Sequence, residues 1–422
     1  GRIRFDIRQG FLLTSSSWFV MSGIGALPFL FAPLGLDIAD SVFETVSGLT
    51  TTGSTVIVGL DRMPRGILLW RGMLQWVGGI GIIVMAIAML PYLGVGGMQL
   101  FRTESSDRSE KIFPRAGQIA FATTAAYLIL NVACALLYYF SGMTGFEAIV
   151  HAMATLATGG FSTSDSSFGH FTNPATHWIA TLFMLLGGLP FVVYIQMAFG
   201  RPLAIWQDSQ ARHFIMGIAV VIVVLTAWLW LTREVAFLDA LRLVAFNVVS
   251  VVTTTGFAST DYSLWGNFAV IVFFVLTFVG GCTGSTSGAI KILRFELLFG
   301  FIWYQIQRLC RPRGVFPLRY RGRPVEFEVM RSAMTFFFLY MATFMALTLA
   351  LSAIGLDLIT ASSGAATALG NVGPGLGEIV GPAGTFAPLP DSAKWLLSLG
   401  MLLGRLELMT LLVLLVPSFW KK

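Results

Sequence analysis

Four glycine-centred stretches set between apolar segments constrain this chain more than any other feature. They are Thr50-Thr51-Thr52-Gly53-Ser54-Thr55, Ala157-Thr158-Gly159-Gly160-Phe161, Thr254-Thr255-Gly256-Phe257 and Asn371-Val372-Gly373-Pro374-Gly375. They recur roughly a hundred residues apart, too regularly for unrelated turns and too far apart for a solenoid, so the chain reads as four pseudo-equivalent units. Of 422 residues, 56% are hydrophobic and 11% charged, with a mean hydropathy of +0.79. Such a chain cannot cover a water-facing surface, and several apolar runs reach the ~20 residues that a helix needs to cross a bilayer. An integral membrane protein follows. The opening run, Gly10 to Phe31, lacks a small-residue cleavage site and is followed by more spans, so it is not a signal peptide. Gly1 in place of a methionine suggests that the chain begins inside a longer one.

The four units are assigned to residues 1–101, 102–208, 209–312 and 313–422. Each has an apolar helix, a segment only about half as long as a span, a glycine-centred stretch and a second apolar helix. In order, the first helices lie at about 10–32, 116–141, 213–231 and 327–354, and the half-helices at about 39–50, 145–156, 237–252 and 357–369. The second helices lie at about 66–93, 176–199, from Trp265 onward with an interruption, and 392–417. The half-length segments read as re-entrant. Two of them contain a Phe-Glu pair, Phe43-Glu44 and Phe146-Glu147, whose carboxylate suits a helix N-terminus. The fold class is an all-α membrane protein with four tandem helix–pore-loop–helix repeats around one central pore.

Charge placement supports two crossings per unit. Basic residues gather at Arg2, Arg4 and Arg8; at Arg102, Arg108, Lys111 and Arg115; at Arg201 and Arg212; densely from Lys291 to Arg331; and at Lys421 and Lys422. With a re-entrant loop in each unit all these clusters lie on one side, which the positive-inside tendency makes cytoplasmic. Arg62, Arg65 and Arg71 fall on the outer side against this pattern. The formal net charge of +6 is thus accounted for without nucleic acid. Cys134, Cys282 and Cys310 and the four histidines show no metal-ligand spacing.

Non-helical backbone at membrane depth must be buried in protein or line a watery cavity, because lipid cannot satisfy its amides. Four such loops about one axis can present rings of carbonyl oxygens that replace the water shell of a cation. Glycine permits the positive φ that aligning successive carbonyls requires, and a threonine before it can add a hydroxyl ligand.

The four stretches, together with Gly280-Gly281-Cys282-Thr283-Gly284-Ser285-Thr286-Ser287-Gly288-Ala289-Ile290-Lys291 and Gly404-Arg405-Leu406-Glu407, closely resemble the Trk/Ktr/HKT superfamily of potassium-uptake proteins, above all the bacterial Trk membrane subunit. The resemblance covers nearly the whole chain. It implies one pore per subunit, with Gly53, Gly159, Gly256 and Gly373 as filter glycines. Thr52, Thr158, Thr255 and Val372 would supply neighbouring carbonyls, with Asn371 beside them, and K+ would be held by filter residues alone. Serine at the first filter glycine goes with sodium in the plant branch, so Gly53 points to potassium. The resemblance also implies a homodimer and a cytosolic, nucleotide-binding Rossmann-type regulatory subunit, in the bacterial inner membrane. This chain shows no complete dinucleotide fingerprint, and no organic cofactor is expected in it. Trk membrane subunits usually carry an extra N-terminal helix pair; without one, either the chain is truncated or it stands closer to the Ktr branch.

Between Gly280 and Gly288 the run from Trp265 breaks near mid-membrane, where Gly280, Gly281, Thr283, Gly284, Ser285 and Gly288, followed by Lys291, form a gate candidate rather than a plain kink. It is not a phosphate loop, since Ala289 follows Gly288. Arg405 lies inside the last apolar helix, where a charge is costly and a functional candidate by default. It either opposes cation passage below the filter or pairs with Glu407 or backbone carbonyls. Asp61, Asp165, Asp261 and Asp391 could concentrate cations at the outer mouth. The basic, proline-containing segment Arg308 to Arg323 could dock a partner or anionic lipid. The function read from these features is potassium uptake through a gated filter. The alternatives are an ion-coupled potassium symporter, or an intramembrane enzyme using Ser285 or Ser287, for which no spanning histidine is an obvious base.

Overall fold

Apolar residues surround the first helix of every unit: Ile7–Phe31, Ala116–Phe140, Ser209–Thr232 and Phe327–Ala353. Such a helix can face lipid on one side and protein on the other. A computed structural model of the chain describes residues 7–88, 116–233, 235–314, 316–317, 319–320 and 323–420. Among these, five helices are long and apolar enough to cross a membrane: the four above and Arg65–Ala88. Val223, Phe338 and Leu349 project from their outer faces, while Thr123 and Thr348 bond the carbonyls four residues back, which hides their hydroxyls within the helix. Arg2, Arg4, Arg102, Arg108, Lys111, Arg115, Lys421 and Lys422, and the expected boundary at 101/102, lie outside the described residues.

The half-helices are Ile38–Leu49, Gly145–Leu156, Phe237–Val252 and Leu358–Gly370. Three have side-chain N-caps: Asp37 accepts from Asp40 N–H, Asp357 accepts from Ile359 and Thr360 N–H, and Thr144 forms a reciprocal capping box with Glu147. Glu147 thus has the N-terminal role expected of it. Glu44 does not: it lies well inside its half-helix, wholly buried, and serves another partner.

The second helices depart from the sequence reading. Arg65–Ala88 is continuous, but Pro174–Gly188 turns by 95° into Phe191–Ala198, where 176–199 reads as one helix in the sequence. Pro190 has no N–H to donate and holds Leu189 extended, at φ −88° and ψ 157°. The third consists of Asn267–Leu276 and Ile292–Cys310 with a non-helical loop between them. The fourth, expected unbroken over 392–417, bends by 104° after Asp391–Arg405, where Glu407 and Leu408 take φ of +61° and +49°. Apart from a small antiparallel pairing of Arg319–Tyr320 with Arg323–Pro324, the described fold is helical.

The units pack in a circle. Arg65–Ala88 lies on Gly145–Leu156, Pro174–Gly188 on Phe237–Val252, and Asp391–Arg405 returns to Ile38–Leu49. Three half-helices are therefore packed between their own unit and the one before it, and the fourth, Leu358–Gly370, accepts from Ala289 N–H of the third unit at Gly370 O. The C-terminus of each, the negative end of its dipole, leads into a glycine-centred stretch.

Candidate ion pathway

All four half-helices end in the same way. Thr51, Thr158, Thr254 and Asn371 take left-handed φ of +52°, +50°, +58° and +55°. The N–H of the next residue, Thr52, Gly159, Thr255 or Val372, returns to the carbonyl five residues back, Ser47, Ala154, Ser250 or Thr367, at 2.8–3.0 Å. This is a Schellman closure made four times. A glycine at positive φ follows: Gly53 at +89°, Gly160 at +79°, Gly256 at +82° and Gly373 at +109°.

The second unit is therefore displaced by one residue from the sequence reading. Gly160, not Gly159, is the counterpart of Gly53, Gly256 and Gly373, and Gly159 takes the place assigned to Thr158. The Gly-Phe pair shared by Gly160-Phe161 and Gly256-Phe257 carried the correct alignment.

These residues close a ring. A Cβ on Gly53 would overlap the carbonyl oxygen of Gly159; on Gly160, that of Thr255; on Gly256, that of Val372; and on Gly373 it would come within 2.7 Å of that of Thr52. Each unit thus abuts the next in chain order and the fourth returns to the first. The result is four adjoining backbone carbonyls, the donor set that suits a dehydrated monovalent cation. The threonine hydroxyls are engaged elsewhere: Thr52 with Thr50 and Asn371, Thr255 with Thr253. A polar cavity of about 70 Å³ is lined by Gly53, Gly160, Gly256 and Gly373 together with Ser54, Ser162 and Asp165.

The strands leaving the ring are held from the side by residues whose bracing role the sequence reading missed. Seven residues before the left-handed position stand Glu44, His151 and Asn247. Glu44 accepts from the Thr55 hydroxyl and Val56 N–H at 3.0 Å. His151 bonds Ser162, and Asn247 bonds Ser259. Arg71 pairs with Glu44 at 2.8 Å and donates to Ser162 O at 2.9 Å, its guanidinium 4.0 Å from the centre of the Phe161 ring. This buried role accounts for a basic residue on the outer side. Only their common offset from the loops would have singled out Glu44, His151 and Asn247.

Of the acidic candidates for the mouth, Asp165 lines the cavity and accepts from Gly59 and Leu60 N–H. Asp61 accepts from Asp165 N–H, and Asp261 caps a short helix. Asp391 opens the last inner helix beside Lys394. Hydrogen bonding to Ser164 holds the Asp61 carboxyl below its usual range.

The loop from Thr277 to Lys291 runs against the inner ends of three half-helices. The Thr286 hydroxyl donates to Leu156 O, Gly288 N–H to the Thr254 hydroxyl, and Ala289 N–H to Gly370 O. Gly280, Gly281 and Gly288 sit where a Cβ would strike backbone carbonyls, of Gly288, Gly188 and Gly370. Ser285 donates to Cys282 O, Thr283 N–H to the Gln210 side chain, Phe191 N–H to Gly284 O, and Lys291 Nζ to Ser287 O at 2.5 Å. Arg405 is buried and donates to Thr286 O at 2.8 Å and Gly78 O at 3.4 Å, so its partners are backbone carbonyls; Glu407 pairs instead with Arg294. Residues of three units therefore meet at this loop, and Arg405 links it to the first through Gly78 O. Among the described residues no three His, Cys, Asp or Glu gather to hold a metal ion.

The family model of the TrkH cation transport protein matches residues 1–422. The chain is 51% identical over 415 residues to the Trk system potassium uptake protein TrkI of Halomonas elongata, covering 98% of this chain and 84% of that protein. It is 40% identical over 420 residues to the Trk system potassium uptake protein TrkH of Escherichia coli, covering 98% and 86%. The crystal structure of the potassium transporter TrkH from Vibrio parahaemolyticus superposes with a TM-score of 0.91 at 39% identity, covering 100% of this chain and 87% of that one.

Proposed function

Because the chain belongs to the TrkH family of cation transport proteins, we propose that it takes up potassium through the ring of Thr52, Gly159, Thr255 and Val372 carbonyls. The ion would be held by backbone oxygens shaped by Gly53, Gly160, Gly256 and Gly373. The observation that carries this reading is the chain-order closure of the ring. The loop holding Gly280, Gly281, Thr283, Gly284, Ser285, Gly288 and Lys291, with Arg405 beside it, is the gate in this reading, supported by its contacts with three half-helices and two inner helices. The family is one of transporters, not enzymes. No observation favours the ion-coupled alternative.

The protein is a multi-pass membrane protein, and we place it in the bacterial inner membrane with its basic loops in the cytoplasm. The finer partnership follows the resemblance: a homodimer working with a cytosolic nucleotide-binding subunit. Exposed Phe299, Trp303 and Leu309 on Ile292–Cys310, leading into the basic segment at 308–323, support a contact surface on that side. The four repeats would divide at about 102, 209 and 313.

The test is potassium and sodium flux in proteoliposomes, with and without a membrane potential, comparing wild type with Gly53→Ser. Wild type should prefer potassium. Serine at φ +89° is strained and meets the Gly159 carbonyl, so the K+/Na+ permeability ratio should fall roughly tenfold, the equivalent of about 1.4 kcal/mol. Equal permeability in wild type would sink the filter reading.

A further inference from the structure

We infer that Gln75 is a positioning residue of the filter: it provides the second quarter with the side chain that Gly159 lacks, and it thereby sets ion selectivity. The inference rests on the potassium-filter reading above. Three quarters have a side chain at the middle position, Thr52, Thr255 and Val372, and the second has Gly159. Its φ is not positive, so the backbone there does not require glycine. What excludes a side chain is Gln75, whose amide Cδ, Oε1 and Nε2 would all crowd a Cβ on Gly159.

Gln75 is wholly buried. Its Nε2 donates to Gly159 O at 2.5 Å, and its Oε1 accepts from Phe161 N–H at 3.1 Å. One amide thus bridges the two residues flanking Gly160 and fixes the direction of a ring carbonyl. A carbonyl oxygen has two lone pairs, so a bond to Gln75 leaves one for an ion.

The other quarters make the assignment specific. Gly78, Gly187 and Gly404 occupy equivalent places on the inner helices, each against the carbonyl of Leu49, Leu156 or Leu369 at a half-helix end. Three residues before them stand Gln75, Met184 and Met401. The helix with Met184 packs on the half-helix that leads to Thr255, and the helix with Met401 on the one that leads to Thr52. An amide stands where the facing quarter has a glycine, and a methionine where it has a threonine.

The test is reciprocal. Gln75→Met keeps the volume and removes both hydrogen bonds; its K+/Na+ permeability ratio, from reversal potentials in proteoliposomes, should fall roughly fivefold, as expected for a lost buried hydrogen-bond pair. Gly159→Thr alone should crowd Gln75 and lower both the melting temperature and the selectivity. In a Gln75→Ala background the same Gly159→Thr change should recover much of both, because the side chain has moved from the helix to the loop. A wild-type ratio in Gln75→Met, or an equal effect of Gly159→Thr in both backgrounds, would overturn the inference. Suppression measured as melting temperature needs no transport. It therefore tests the brace even if wild type proves unselective, an outcome that would count against the potassium filter alone.

Discussion

Arg71→Met will leave the Glu44 carboxylate buried without its partner and should destabilise the protein by about 3–5 kcal/mol, the usual cost of breaking a buried ion pair from one side. Both side chains are at most 1% exposed. Beyond the 2.8 Å ion pair, the arginine donates to Ser162 O and the Thr55 hydroxyl, so its loss releases the outgoing strands of two adjacent quarters together. The double substitution Arg71→Met with Glu44→Gln removes the stranded charge and should be milder than the single one, because a neutral amide costs less to bury than an unpaired carboxylate. Thermal unfolding of detergent-solubilised protein, followed by size-exclusion chromatography, measures both. A single variant within about 2 °C of wild type, a shift typical of well under 1 kcal/mol in a small domain, would show that the pair does not brace the two strands.

Arg405→Ala should raise basal potassium flux, measured without any partner, by roughly thirtyfold. Two unit charges 4 Å apart repel by about 4 kcal/mol at an effective dielectric of 20, and half of that corresponds to about thirtyfold in rate. The same change removes the donors that tie Thr286 O and Gly78 O together, so the loop loses a tether as well as its charge. Arg405→Lys separates the two contributions: it keeps the charge but cannot reproduce the forked contact, and should give an intermediate flux. Unchanged or lower flux in a well-expressed Arg405→Ala protein would argue that the arginine is structural only.

The membrane class, the half-helices and the interruption after Leu276 were legible because each rests on a local property: a run of apolar residues, its length, or a cluster of glycines. The register of the second quarter was not. Gly159 and Gly160 are adjacent, and the choice between them depends on which residue takes the left-handed turn, decided by the hydrogen bond from Gly159 N–H to Ala154 O. Glu44 was misjudged for a related reason. A Phe-Glu pair looks alike at Phe43-Glu44 and Phe146-Glu147, but only Glu147 lies in the first turn of its helix. The bend at Pro190 was marked by a proline in plain sight, whereas the turn at Glu407 and Leu408 has no comparable residue. Gln75 was invisible because its partners, Gly159 and Phe161, lie in the next unit.

A ring closed in chain order within one polypeptide has a further consequence. In a pore built from four copies of one subunit, every substitution is made four times, and a change tolerable once is often ruinous when repeated. Here Thr52, Gly159, Thr255 and Val372 mutate independently. Selection can therefore adjust the ring one quadrant at a time, in small heritable steps. The inequality of the four quadrants, with an amide borrowed from a neighbouring helix in one of them, is the kind of record that such stepwise adjustment would leave.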